Sequence, residues 1–153
     1  MNSFRFHRFK KRAKPILFAI LFWILSCSWG VLMTLFGAIV ALGLLLTGHR
    51  PHCFHCLIYF ETGENWGGFE AGGFFVVNKE ASERLKCHEA GHGIQNIMFG
   101  PFMPFLVSIP SCVRYWVRRY KLKKRRGDML PPYDSIWFEG SATSLGEKFF
   151  GKK

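Results

Sequence analysis

KEASERLKCHEAGHGIQNIMF, residues Lys79–Phe99, decides how the chain is read. Its composition is helical, Asn78 before it is a candidate N-cap, and Gly100-Pro101 directly behind it is a stop signal. Within it, His88-Glu89-Ala90-Gly91-His92 sets two imidazoles four residues apart. That spacing places both on one helical face, where they can meet a single metal ion. Glu89 is turned about 100° around the helix from His88, which suits a base acting on water rather than a ligand. Two imidazoles and a carboxylate are a natural donor set for Zn2+, with a fourth position open. Gly91 and Gly93 each cost the helix about 1 kcal/mol relative to Ala. That cost makes sense where another element must come close.

The third ligand lies downstream. No histidine follows His92, and Gln95 and Met98 occupy the positions where a three-histidine pattern would continue. The remaining carboxylates are Asp128, Asp134, Glu139 and Glu147. Glu139 is the best candidate, because Asp134 can cap a final helix, Ser135 to Phe150, and Glu139 falls early in it. Ala142, Thr143 and Gly146 follow three, four and seven positions on, forming a small-residue face beside the carboxylate. Packing that face against Gly91 brings Glu139 to the metal.

Working outward from the helix, Cys56–Phe60 and Phe74–Val77 are β-branched or aromatic runs separated by a Gly-rich stretch. They predict a short hairpin or two edge strands. Trp66–Val77 precedes the HExxH helix, where its likeness to zincins implies a strand that aligns an extended peptide by main-chain pairing, and a plain structural hairpin fits the residues equally. His52-Cys53-Phe54-His55-Cys56 contains one CxxC with no second pair, so a turn is expected rather than a second metal site. Five cysteines without framework spacing are read as reduced thiols.

Further out, Ile16–Thr47 carries no charged side chain. It exceeds the ~20 residues of a membrane-spanning helix but falls short of two. With Ser26, Ser28, Gly30, Gly37 and Gly43 inside it, one long tilted helix and a tight re-entrant hairpin both fit. Ile24-Leu25-Ser26-Cys27 resembles a lipoprotein cleavage box, but the apolar run continues well past Cys27, so the segment is expected to be retained. Pro101–Val113 is apolar and broken by Pro104 and Pro110, which suits an in-plane or re-entrant segment.

The net charge is +11, with most basic residues in two runs, Arg5–Lys14 and Arg114–Arg126. Basic blocks beside apolar stretches, the second interleaved with Tyr115, Trp116 and Tyr120, favour anionic lipid headgroups over nucleic acid.

HEAGH with a downstream helical Glu resembles the gluzincin type of zinc metallopeptidase. The segment HEAGHGIQNIMFGPF…PS…WFEGSATSLG is also similar to small bacterial membrane proteins with HExGHxxQ followed by GP. The likeness covers roughly Trp66 to Gly146. It implies that His88, His92 and Glu139 bind zinc and that Glu89 is the general base. It leaves the electrophilic partner unassigned, with Tyr133 or Arg114 as the available groups. Site-2-type intramembrane proteases also place HExxH near a membrane, but use an Asp in a second spanning helix, which this chain lacks.

The expected architecture is α+β. Residues 1-47 form a basic arm and a membrane helical segment. Residues 48-153 form a minimal zincin-like domain of a short β-hairpin, the HExxH helix and a second helix carrying a Glu, with a membrane-associated segment at 101-126. Both basic runs on the cytoplasmic side imply a cytosolic site at a bacterial cytoplasmic membrane. The expected function is peptide-bond hydrolysis in a peptide or protein substrate. The alternative is a non-catalytic integral membrane protein with a structural metal site or a partner-binding role.

Overall fold

The computed structural model describes residues 3–124 and 130–151, with side chains from residue 15 onward. Arg125 and Arg126 of the second basic run, and Gly127–Met129 of the loop behind it, lie outside the described residues. The fold is α+β, with five α-helices and one four-stranded sheet among the described residues.

The apolar third forms neither a single helix nor an antiparallel hairpin. Helix α1 (Ser3–Ser28) and helix α2 (Val31–Leu46) meet at a bend of 97°. Trp29-Gly30 supplies the break, and Asn96 Nδ2 from the metal-motif helix donates to Gly30 O at 3.3 Å, tying the corner to the core. Among the described residues, no single helix is long and apolar enough to cross a membrane.

The sheet corrects the expected hairpin. Its strands are β1 (Pro51–Phe54), β2 (Leu57–Glu61), β3 (Gly68–Ala71) and β4 (Phe74–Val77), in the order β1-β2-β4-β3. The two predicted runs are neighbours but parallel, with Ile58 opposite Phe74 and Phe60 opposite Val76. Each instead turns back on an outer partner, β2 on β1 and β4 on β3. The first turn is made by His55 in the left-handed region (φ 53°) and Cys56, the second by Gly72 (φ 70°) and Gly73. His52-Cys53-Phe54-His55-Cys56 is therefore a strand and its turn. Cys27, Cys53, Cys56 and Cys112 make no disulfide, and burial pushes the Cys56 thiol up to about 11.

Strand alternation sorts the side chains into two layers. Leu57, Tyr59, Phe75 and Val77 pack with Phe22 of α1, with Phe150, and with Cys87, Ala90 and Ile94 of helix α3 (Glu83–Phe99). Phe60 and Val76 turn the other way, onto Ala41 of α2.

Helix α3 begins four residues later than Lys79, because Ser82 rather than Asn78 is its cap. Ser82 Oγ accepts from Leu85 N at 3.2 Å. Asn78 instead makes a turn of its own, accepting from Glu80 N at 2.9 Å. Gly100, at φ 55°, ends α3 as expected. Behind it the chain passes through a 3-10 turn (Gly100–Phe102) and a π-helical turn (Pro104–Ser108) into helix α4 (Ile109–Lys123). The apolar segment and the basic run thus form one helical arm, bent 118° from α3. Helix α5 spans Trp137–Phe150, two residues shorter than expected, because Tyr133–Ser135 forms a separate 3-10 turn and Asp134 does not cap it.

Helices α3 and α5 touch backbone to backbone. A Cβ on Gly91 would overlap the Ala142 carbonyl, and one on Gly146 would overlap the Cys87 carbonyl. Ala142 is itself fully buried. Gly91→Ala is expected to lower stability by at least about 2 kcal/mol through overpacking. Gly43 faces open space in α2, and Gly43→Ala should be neutral or gain up to about 1 kcal/mol. Thermal unfolding of the purified variants checks both.

Candidate metal centre

The α3–α5 contact places His88, His92 and Glu139 together. One nitrogen from each histidine and one carboxylate oxygen lie within 4.8 Å of one another, and among the described residues no other such group of three occurs. Glu139 is fully buried at the start of α5, and its Oε2 lies 3.1 Å from His88 Nε2 and 3.4 Å from His92 Nε2.

Hydrogen bonds on the far side of each ring fix what those nitrogens present. Gln95 Nε2 donates to Phe138 O at 2.8 Å and Ser141 Oγ at 2.6 Å, which turns Gln95 Oε1 toward His92 Nδ1 at 2.7 Å. An amide oxygen only accepts, so His92 Nδ1 is protonated and Nε2 is the ring nitrogen turned toward Glu139. The same holds at His88. Thr143 Oγ1 donates to Glu139 O at 3.2 Å, leaving it to accept from His88 Nδ1 at 2.9 Å.

Both Nε2 atoms therefore converge on the carboxylate. Glu139 Oε2 accepts no hydrogen bond although two ring nitrogens stand beside it. A metal ion bound there would satisfy all three donor atoms at once. Donor atoms held about 2.0–2.1 Å from a tetrahedral zinc ion stand roughly 3.3 Å apart; the observed spacings to Glu139 Oε2 are 3.1 and 3.4 Å, and the two histidine nitrogens lie within 4.8 Å of each other. The residues fit a metal ion.

The other Glu139 oxygen, Oε1, accepts from Ser111 Oγ of α4 at 2.5 Å. Burial opposes a charge on Glu139, but His88, His92 and Ser111 outweigh it and hold the carboxyl well below the usual carboxylate range. Glu89 is buried beside the group at 4% exposure. Burial pushes its carboxyl up to about 7, with the Glu139 charge adding to the rise and His88 opposing it. Gly68 of β3 lies so close that a Cβ there would stand 2.5 Å from Glu89 Oε1.

Tyr133 and Arg114 separate clearly. The Tyr133 ring lies 6.3 Å from that of His88, and its phenol interacts with Glu139 and Ser111. Burial, then the Glu139 charge, raises its pKa, so it remains a donor. Arg114 is turned away. Its guanidinium donates to Tyr133 O at 2.9 Å, Pro132 O at 3.0 Å and Ser135 Oγ at 3.2 Å, strapping the segment that carries Tyr133.

Two lobes of one cleft meet at His88 and Glu89. The inner lobe, about 460 Å³, reaches Glu70, Met103 and Val107; the outer, about 680 Å³, runs past Asn65, Ser82 and Arg84 to the surface. Thr143 was read only as part of a small-residue face and Gln95 only as a position without histidine, and Ser111 and Glu70 were not read at all. Thr143 and Gln95 sit four and three residues after Glu139 and His92, a spacing that could have flagged them. Ser111 and Glu70 carried no such signal.

With zinc as the probe, equilibrium dialysis should find about one ion per chain, lost in His88→Ala and in Glu139→Ala. Thr143→Val and Gln95→Leu, which release the ring orientations, should each weaken zinc about 10- to 100-fold. Comparison with family models, with curated proteins and with solved structures gave no match to this chain.

Proposed function

We propose that the protein is a membrane-associated zinc-dependent metallopeptidase. The observation that carries this reading is a three-donor group with a buried carboxylate beside it, opening onto a cleft. A structural zinc site is closed by four protein ligands, whereas a hydrolytic one keeps a position open. His88, His92 and Glu139 hold Zn2+, which when bound polarises a carbonyl and acidifies water. Glu89 accepts the proton of the attacking water and passes it to the departing amine. Tyr133 donates its phenol hydrogen to the oxyanion that develops on the carbonyl, and Arg114 positions Tyr133. An extended peptide or protein substrate pairs with β3, the strand nearest Glu89 at the sheet edge.

Lipid contact is supported by the outer surface. Ile16, Leu17, Ile20, Leu21 and Ile24 of α1 are more than half exposed, and α2 adds Leu32, Leu35, Ile39 and Leu42. Apolar surface of that extent marks a membrane or partner face. On α4, exposed Ile109, Val113, Trp116, Val117 and Tyr120 share one face, with Arg118, Arg119, Lys121, Lys123 and Lys124 beside them. That pattern suits an in-plane helix among anionic headgroups, not nucleic acid. The bent α1–α2 pair can enter and leave on one side, which keeps both basic runs and the site on the cytosolic face of a bacterial cytoplasmic membrane.

Glu89→Gln should keep its zinc and lose hydrolysis of a peptide library by at least about 10²-fold. Tyr133→Phe should lower kcat about 10²- to 10³-fold with KM little changed. Stoichiometric zinc with no hydrolysis in the wild type would leave the non-catalytic membrane protein with a structural metal site. In vesicle flotation, the triple variant Arg118→Glu, Arg119→Glu, Lys121→Glu should remain membrane-bound through α1–α2 yet lose preference for anionic over neutral vesicles.

A further inference from the structure

Glu70 has no part in the chemistry described so far. It sits on β3 at 6% exposure, and neither carboxylate oxygen makes a hydrogen bond. It lines the inner lobe with His88, Glu89 and His92. Burial, then the charge of Glu89, pushes its carboxyl well above the usual range, against the pull of the Gly72 amide. A buried carboxyl facing a cavity without a partner is a binding group awaiting a cation or donor.

Its position along the strand says which part of a substrate it meets. Gly68 and Glu70 share the face of β3 turned toward α3, and Gly68 abuts Glu89. Glu70 therefore stands one strand repeat, about 7 Å, deeper into the cleft. Gly67 O accepts from Asn78 N on the β4 side. By antiparallel alternation, the main-chain groups of Gly68 and Glu70 then point to the free edge. Beyond Glu70 the strand is closed. α2 presses on Gly72 through Thr34, and Gly37 lies against the Ala71 carbonyl with no room for a side chain. Met103 and Val107, each 1% exposed, back the inner lobe.

A peptide paired along this edge must end near Glu70, and the end it presents must tolerate Glu70 and Glu89 together. A terminal carboxylate is repelled there and an ammonium is attracted. An ammonium beside Glu70 favours the charged form that its burial opposes.

We propose that Glu70 receives the free α-ammonium group of the substrate, so that the cleft removes amino-terminal residues from peptides. This rests on the metallopeptidase reading. The C–N bond after the first residue breaks, the water oxygen joins the acyl carbon, and Glu89 carries a water proton to the departing amine. The lining by Met103, Val107 and Trp116 suits a large apolar first side chain.

The test uses full-length, zinc-loaded protein in detergent and a leucine-first hexapeptide, with a free or an acetylated amino terminus. Hydrolysis is followed by mass spectrometry, and binding is measured separately on the Glu89→Gln protein by calorimetry. The expected result is release of leucine from the free peptide only. Binding should favour the free form by on the order of 100-fold, a preference erased when Glu70→Gln is added, with zinc content unchanged. Equal cleavage of both peptides overturns the Glu70 assignment and leaves the peptidase. Preferential, Glu70-dependent binding without any cleavage upholds the subsite and overturns the peptidase. Neither cleavage nor preference overturns both.

Discussion

The structure depends on one steric constraint, the missing side chains at Gly91 and Gly146. Without them α3 and α5 approach until carbonyl meets Cα, and only at that separation does the short Glu139 side chain reach the two imidazoles. Everything polar around the site then follows from α5 lying where it does. Phe138 O and Ser141 hold Gln95, Gln95 holds His92, and Thr143 holds His88. The glycines are a local cost to α3 and the condition for a His-His-Glu group assembled from two helices.

Charge is segregated sharply for so small a chain. The net charge is +11, yet the cleft interior carries Glu70, Glu89 and Glu139, all nearly or fully buried. The described basic side chains nearest it, Arg114, Arg118 and Arg119, are spent on backbone carbonyls and aromatic faces rather than on those carboxylates. Their donors are satisfied outside the site, which leaves the three carboxylates without a pairing arginine among the described residues.

How much was legible in the sequence follows the range of the interactions. Helix α3, its glycine stop and the pairing of Gly91 with the face of Ala142, Thr143 and Gly146 were readable, since they rest on local spacing. The choice of Glu139 rested on the same face, and the structure places that carboxylate against both histidines. The cap was misread because Asn78 and Ser82 are equally good caps by residue type, and only tertiary packing chooses. The sheet was half legible. β2 and β4 announce themselves as apolar runs, but β1 is nearly all exposed and β3 is Gly-Phe-Glu-Ala, so neither has the alternation of a strand. Missing both outer strands turned a parallel pair into an imagined hairpin. Ser111 and Glu70 reach the site from elements far off in sequence, and spacing says nothing about such contacts.

The hydrogen bond from Ser111 to Glu139 has a consequence in time. The donor groups of the site, His88, His92, Glu139 and the Ser111 that steadies it, come from three helices made in succession, and α5 is the last. The apolar pair α1–α2 has left the ribosome well before Glu139 exists. The nascent chain therefore carries no complete donor set until its last helix is made, and whatever depends on that set can begin only once α5 has closed on α3.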